Sequence, residues 1–307
     1  MKKNELYIVG IGASAGGLEA LEDFFKNTPK DTNMAFVVIQ HLSPDYKSLM
    51  LELLSRHTDL QIYRVEDGME IKSNSIYLIP PKKNMTVFHN KLFLVQKQND
   101  HVLNLPIDIF FKSLAEDQGE KAIGIILSGT GSDGTRGIKA IKEVGGMVIA
   151  QEEKTAKFDG MPKSAIMTGL VDYILSPDLM PEQLVKYVQH PFLKDDIAKD
   201  GIRNIEKDKM TKIFALLRNY SGVDFTFYKP TTIYRRIERR VGVKQLNNFS
   251  EYLELLYSDP QEIKILYKDL LIGVTRFFRD REVFEEIENK IIPEIFEHNK
   301  EDKSIRV

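Results

Sequence analysis

The stretch Gly12-Ala13-Ser14-Ala15-Gly16 constrains this chain more than any other. An apolar run over residues 6–11 leads into it, and an amphipathic segment with Leu18, Leu21, Phe24 and Phe25 leaves it. That order reads as strand, glycine-rich turn and helix, with a serine at the bend. A serine there stands clear of the sheet, and the N–H groups of the helix start point toward whatever it attacks. One turn thus offers a nucleophile and an oxyanion site together.

The alternation continues down the chain. Strands are expected at residues 6–11, 35–40, 75–79, 92–95, 122–127 and 147–151, and helices at 18–26, 48–55, 107–116 and 136–144. Apolar strands separated by amphipathic helices predict an α/β fold: a doubly wound, mainly parallel sheet with helices on both faces, over residues 1–185. Sites in such sheets gather at the carboxyl ends of strands. From Pro181 to about Lys209 the sequence is charged and weakly periodic, and residues 186–209 read as a linker, in part helical. Beyond Met210 only helical patterns occur, at 213–217, 233–241, 252–256, 263–271 and 284–292, which predicts a small all-α domain over 210–295. Ser304-Ile305-Arg306-Val307 read as an incipient strand, so 296–307 is expected to start a further domain that is cut off.

A length of 307 residues with 42% hydrophobic content suits two domains with real cores. The net charge of -2 excludes a global field that would draw the chain to nucleic acid or membrane. There is no cysteine, which excludes disulfides, thiolate catalysis and Cys-ligated zinc; no metal site is expected. Met1-Lys2-Lys3 and Ala13-Ser14-Ala15 superficially mimic a secretory signal. The apolar stretch between them starts after Glu5, however, and Gly10 and Gly12 interrupt it. No run reaches the ~18 apolar residues of a membrane span. A cytoplasmic location is therefore expected.

Three strand ends supply chemistry: Ser14, then Gln40-His41, then Ser128-Gly129-Thr130-Gly131-Ser132-Asp133-Gly134. A serine hydroxyl needs a base to take its proton, histidine titrates near neutrality, and a carboxylate orients the imidazole. Each residue also has a plainer role. Ser14 fits a dinucleotide loop, Gly10-x-Gly12-x-x-Ala15, and hence a nucleotide-binding oxidoreductase. That fold, though, wants an acid near the end of the second strand, where Gln40-His41 stands. His41 alone suits a capping or core histidine, and Asp133 alone suits a helix N-cap. The G-x-S-x-G elbow of α/β-hydrolases places several strands before the serine and orders the triad Ser, acid, His, unlike this chain.

Ile11-Gly12-Ala13-Ser14-Ala15-Gly16-Gly17, Gln40-His41-Leu42 and Leu127-Ser128-Gly129-Thr130-Gly131-Ser132-Asp133-Gly134 resemble the three motifs of the bacterial chemotaxis protein-glutamate methylesterase catalytic domain. Ala150-Gln151, Phe158-Asp159-Gly160-Met161-Pro162 and Gly169-Leu170-Val171-Asp172 resemble its later landmarks. The resemblance implies Ser14 as nucleophile, His41 as general base and Asp133 as its orienter, with Ala15, Gly16, Thr130 and Gly131 forming the oxyanion loop. Thr130 stands where the family usually has Met, and Ala15 where it often has Thr. It further implies hydrolysis of glutamate γ-methyl esters, and deamidation of certain glutamines, on a chemoreceptor or similar sensory partner, with no cofactor. A non-catalytic scaffold that binds receptor tails is the alternative.

In the second half, Tyr234-Arg235-Arg236-Ile237-Glu238-Arg239-Arg240 carries i,i+4 arginine pairs on one broad helix face, opposite Ile233, Ile237 and Val241. Such a face is either solvated surface or a docking face for an acidic partner. Nucleic acid is disfavoured, since no aromatic platform or nucleic-acid motif accompanies it. Residues 225–240, with Leu271-Ile272-Gly273-Val274-Thr275-Arg276-Phe277-Phe278-Arg279-Asp280, resemble the N-terminal helical domain of the chemotaxis receptor methyltransferase. That resemblance implies receptor docking by Arg235, Arg236, Arg239 and Arg240, and places Thr275 and Arg279 near S-adenosylmethionine. The glycine-rich loop for that cofactor would follow Val307, so no methyl transfer is expected of this sequence. Nor does a phosphoacceptor receiver domain fit before Leu6, so no control by aspartyl phosphorylation in cis is expected.

Overall fold

The computed structural model describes residues 6–40, 50–96, 104–190, 207–271 and 286–293. Seven strands form one parallel sheet: β1 (Tyr7–Ala13), β2 (Met34–Gln40), β3 (Gln61–Arg64), β5 (Ser75–Leu78), β8 (Ala122–Ile126), β9 (Met147–Gln151) and β10 (Tyr173–Leu175). Their order is β10-β9-β8-β1-β2-β5-β3. The chain winds outward from β1 through β2 in one direction, then returns to β8 on the other side of β1. β1 and β8 therefore flank the switch point at which a doubly wound sheet opens a crevice at its carboxyl edge.

Every residue of β1, β8 and β9 is buried, as expected of strands covered on both faces. On β1 the two faces differ. Tyr7, Val9, Ile11 and Ala13 enter one core with Phe24 and Phe25 of α1 (Gly17–Lys26) and Leu184 and Tyr187 of α6 (Met180–Gln189). The opposite face offers Ile8 and two glycines to a second core, with Phe110, Phe111 and Leu114 of α3 (Pro106–Gln118). A Cβ on Gly12 would lie 2.6 Å from Ile107 Cγ2, and one on Gly10 2.9 Å from Phe111. Helix α3 thus rests directly on the β1 backbone.

Several elements depart from the sequence expectation. β1 runs to Ala13, two residues beyond 11, because both neighbours keep pairing with it. The strand expected at 92–95 is β7 (Lys91–Gln96). It lies outside the parallel sheet, in an antiparallel three-stranded sheet of order β4-β7-β6 with β4 (Met69–Glu70) and β6 (Lys83–Phe88). His89 and Asn90 turn the β6–β7 hairpin with positive φ, the geometry of a tight hairpin turn. Of the helix expected at 48–55, α2 (Met50–Leu54) lies within the described residues. α4 (Thr135–Glu143) and α5 (Gly160–Met167) follow β8 and β9. α6 continues past 185 to Gln189, because Tyr187 and Val188 fill the core beside α1.

Four helices follow: α7 (Lys207–Ser221), α8 (Pro230–Val243), α9 (Phe249–Ser258) and α10 (Pro260–Leu271). They share a core of Ile213, Phe225, Ile233, Ile237, Val241, Tyr252 and Leu266. They also pack on the α/β part, and residues 1–272 form one compact unit. Residues 273–307 form a second unit, in which 286–293 is helical.

The seam between helices and sheet is ionic and buried. Asp172, at the start of β10, accepts from Lys142 Nζ (2.9 Å), from Arg239 Nη2 and, more distantly, from Arg240 Nη1. Asp269 of α10 accepts from Arg239 Nη1 (2.9 Å) and pairs with Lys142 Nζ (3.3 Å). Glu262 takes Arg240 through both oxygens, at 2.8 and 2.7 Å, and also the Tyr252 hydroxyl. Arg239 Nε donates to the Gly146 carbonyl, and the Tyr173 hydroxyl to the Val243 carbonyl. Burial opposes ionisation of Asp172, yet Arg239, Lys142 and Arg240 outweigh it and hold the carboxyl well below its ordinary range. The same burial, with Arg239 beside it, pushes the Lys142 ammonium down.

Removing one member of such a cluster strands buried charge, so Arg239→Met should destabilise the fold by about 3–5 kcal/mol in urea unfolding. Arg235→Met, at an exposed position, should stay within about 0.5 kcal/mol. Because the folded carboxyl titrates below its unfolded value of 3.8, the stability contributed by Asp172 is complete at neutral pH. It disappears only as the pH falls below 3.8 toward the folded value. The stability difference between wild type and Asp172→Asn should therefore shrink between pH 7 and pH 3.

Candidate active site

Ser14 is the first residue beyond β1, half-buried at the carboxyl edge of the sheet. Its N–H donates to the Ser128 carbonyl (2.9 Å), and Leu127 N–H donates to the Gly12 carbonyl (2.9 Å), so the β1–β8 ladder runs on into both loops. Gly17 N–H donates to the Ser14 carbonyl (2.9 Å) and closes the turn into α1. Gly16 within that turn has φ 67, a left-handed conformation that favours glycine. Crowding adds a second requirement there: a Cβ would sit 2.7 Å from Lys157 Cβ and 2.8 Å from Ser128 Oγ.

The 128–134 loop closes the other side. Ser128 is fully buried, whereas Thr130, Gly131 and Ser132 are exposed. Gly129 packs against the Ser14 turn so closely that a Cβ would stand 2.8 Å from Ser14 Cβ. Its N–H donates to the Phe158 carbonyl (2.9 Å), and its carbonyl accepts from Met161 N–H (2.8 Å). Gln151, the last residue of β9, accepts from Ser128 N–H (2.8 Å) and donates to the Thr155 carbonyl (3.0 Å). The sequence marks Gln151 and the 158–162 stretch only as landmarks. In the structure they are the framework behind the loop.

The N–H groups of Ala15, Gly16, Thr130 and Gly131 donate to no partner among the described residues. They lie on the two turns that flank the Ser14–Ser128 bond. Unpaired backbone donors at a strand-to-helix turn are what a developing oxyanion requires.

Asp133 is buried at 4% exposure. Its two carboxylate oxygens accept from the first N–H groups of α3, Ile107 (3.1 Å) and Asp108 (3.0 Å). The helix-capping role open to this residue is thus real, though the helix is α3 rather than α4, which follows it. Asp108 in turn accepts from Gly137 N–H (2.7 Å), and burial pushes its carboxyl up, with Asp133 adding to the effect. His41 lies outside the described residues. Its neighbour in sequence, Gln40, closes the β1–β2 ladder opposite Ala13. Thr275 and Arg279 also lie outside the described residues.

The four-arginine docking face does not form. Arg235 is exposed and Arg236 half-buried, but Arg239 and Arg240 are 5% and 2% exposed and engaged in the ionic seam. The i,i+4 spacing correctly aligns these residues around the helix. It does not register that the C-terminal half of α8 is covered by the α/β part while the N-terminal half stands clear.

Fold and turn together define the class: a doubly wound α/β protein presenting a serine at its switch point. The chain belongs to the CheB methylesterase family, whose profile matches residues 9–184, and the CheR methyltransferase all-alpha domain matches residues 208–271. It is 34% identical over 185 residues to a Thermotoga maritima protein-glutamate methylesterase/protein-glutamine glutaminase, covering 59% of this chain and 54% of that one. An uncharacterised 104.1 kDa protein of Rhodobacter capsulatus is 40% identical over 263 residues, 79% of this chain and 28% of its own length. This chain therefore spans only part of these relatives. The crystal structure of the Thermotoga maritima CheB methylesterase catalytic domain superposes with a TM-score of 0.54 at 34% identity, over 59% of this chain and 98% of that one.

Gly129→Ala should test the tight approach of the two turns. The new methyl group would meet Met161 Sδ at 2.3 Å and Ser14 Cβ at 2.8 Å. Covalent labelling of Ser14 by a fluorophosphonate should slow by roughly a hundredfold, the scale expected of a 1 Å misplacement.

Proposed function

We propose that this chain is a serine esterase that removes methyl groups from glutamate γ-methyl esters of a chemoreceptor or related sensory protein in the cytoplasm, and that it deamidates selected glutamines by the same route. The observation that carries this reading is Ser14 at the β1–β8 switch point, beside backbone N–H groups without partners among the described residues. Family membership supports the ester as substrate.

Ser14 Oγ attacks the ester carbonyl while His41 takes its proton, and the carbonyl oxygen becomes an oxyanion held by N–H groups of the 14–16 and 128–131 turns. Collapse breaks the bond to the methoxy group, which leaves as methanol with the proton from His41. Water, deprotonated by His41, then attacks the acyl-serine, freeing the glutamate carboxylate and restoring the serine. Asp133 orients His41 from a carboxylate already fixed against α3. Each oxyanion donor contributes about 3 kcal/mol to the transition state. No cofactor enters these steps. S-adenosylmethionine belongs to the complete methyltransferase that the helical part resembles.

Methanol release from methyl-esterified receptor tests the reading. Ser14→Ala should abolish it, and His41→Gln should lower it as severely, because the residues act as a unit. Asp133→Asn should lower it by roughly 10⁴-fold if the acid orients the imidazole. Equal release from wild type and Ser14→Ala would overturn the triad, and no release from wild type above the protein-free control would show a non-catalytic scaffold instead.

A further inference from the structure

We propose that Ser128 is a positioning residue for the nucleophile turn, a role that rests on Ser14 being the nucleophile. Ser128 is fully buried, so its hydroxyl meets no substrate. All of its polar groups are nevertheless committed to the walls of the site. Its carbonyl accepts from Ser14 N–H (2.9 Å), and its N–H donates to Gln151 Oε1 (2.8 Å). Its hydroxyl accepts from Phe158 N–H (3.0 Å). That hydroxyl has one proton to give, and the Ala15 carbonyl at 2.9 Å lies closer than the Phe158 carbonyl at 3.3 Å.

The consequence follows from the planarity of the peptide. A trans peptide points its carbonyl and its N–H in opposite directions. Gly17 N–H holds the Ser14 carbonyl and so aims Ala15 N–H, while the Ser128 hydroxyl holds the Ala15 carbonyl and so aims Gly16 N–H. Both N–H groups are without a partner among the described residues. Ser128 therefore sets the height of the serine through its backbone and the direction of the neighbouring donor through its side chain. Through Phe158 it also ties that turn to the 153–160 segment, whose Phe158 ring is 43% exposed beside Gly16. A buried donor aimed at a backbone carbonyl gives preorganisation: the dipoles are in place before charge develops.

The experiment compares wild type, Ser128→Ala, Ser128→Thr and Ser14→Ala. The readouts are the rate of fluorophosphonate labelling, kcat and KM for methanol release from methylated receptor, and the urea midpoint. Wild type should label at Ser14, and Ser14→Ala should not. Ser128→Ala should stay folded, label roughly 10–100-fold more slowly and lose kcat with little change in KM. Ser128→Thr keeps the hydroxyl and should recover most of the rate. Absence of Ser14 labelling in the wild type would overturn the nucleophile assignment itself. With wild-type labelling intact, three outcomes would overturn the role of Ser128 alone: a wild-type rate in Ser128→Ala, a loss no larger than its unfolded fraction, or a Ser128→Thr rate as slow as that of Ser128→Ala.

Discussion

The contact on which the rest of this structure depends is that of helix α3 with the glycine face of β1. Gly10 and Gly12 carry no side chain, so Ile107, Phe110 and Phe111 approach the strand backbone itself. That approach brings the first turn of α3 beneath the loop leaving β8, where its N–H groups meet the Asp133 carboxylate. The loop that carries the acid is thereby anchored to a helix start instead of hanging free. Asp108, one residue further along α3, repeats the device by taking Gly137 N–H and fastening α4. Two carboxylates and two glycines thus set the depth of the crevice at the switch point.

The site itself is a meeting of two turns, and its rigidity comes from backbone bonds more than from side-chain packing. Ser14 and Ser128 extend a parallel ladder past the ends of their strands, and Gln151 and Phe158 brace the far side. The chain is close-packed there because glycine at 16 and 129 leaves no Cβ between the turns. This arrangement leaves the N–H groups of Ala15, Gly16, Thr130 and Gly131 without partners among the described residues, on turns that are half-buried or exposed and so within reach of a ligand.

The helices after residue 207 are bound to the α/β part by charge. Lys142, Arg239 and Arg240 face Asp172, Glu262 and Asp269, and the half-buried Lys244 adds a further contact to Glu262 (3.0 Å). A buried set of this kind gains little net stability over apolar packing, but it penalises every arrangement in which one member is left alone. It therefore specifies one seating of the helices on β10 and α4. In that seating Arg239 and Arg240 of α8 face inward, while Arg235 in its first half is exposed.

What the sequence alone determined is whatever local pattern encodes. Strand and helix alternation, the glycine-rich turn with its serine, and the hydrophobic stripe of α8 all depend on neighbours a few residues apart. Those expectations matched in β1, β2, β8, β9, α1 and α8. Contacts distant in sequence were not legible. Short strands such as β3 and β10 have too few residues to show a period, and β7 reads like any apolar strand although it pairs antiparallel outside the main sheet. Asp133 shows as a carboxylate after a glycine-rich loop, but its hold on a helix that starts 27 residues earlier does not. Ser128, Gln151 and Phe158 come together across gaps of 23 and 30 residues, and the buried side of Arg239 and Arg240 depends on Asp172 nearly 70 residues away. Periodicity gives each residue an angle about its own element. Only the packing of elements decides which of those angles is closed by a neighbour and which is left open to substrate.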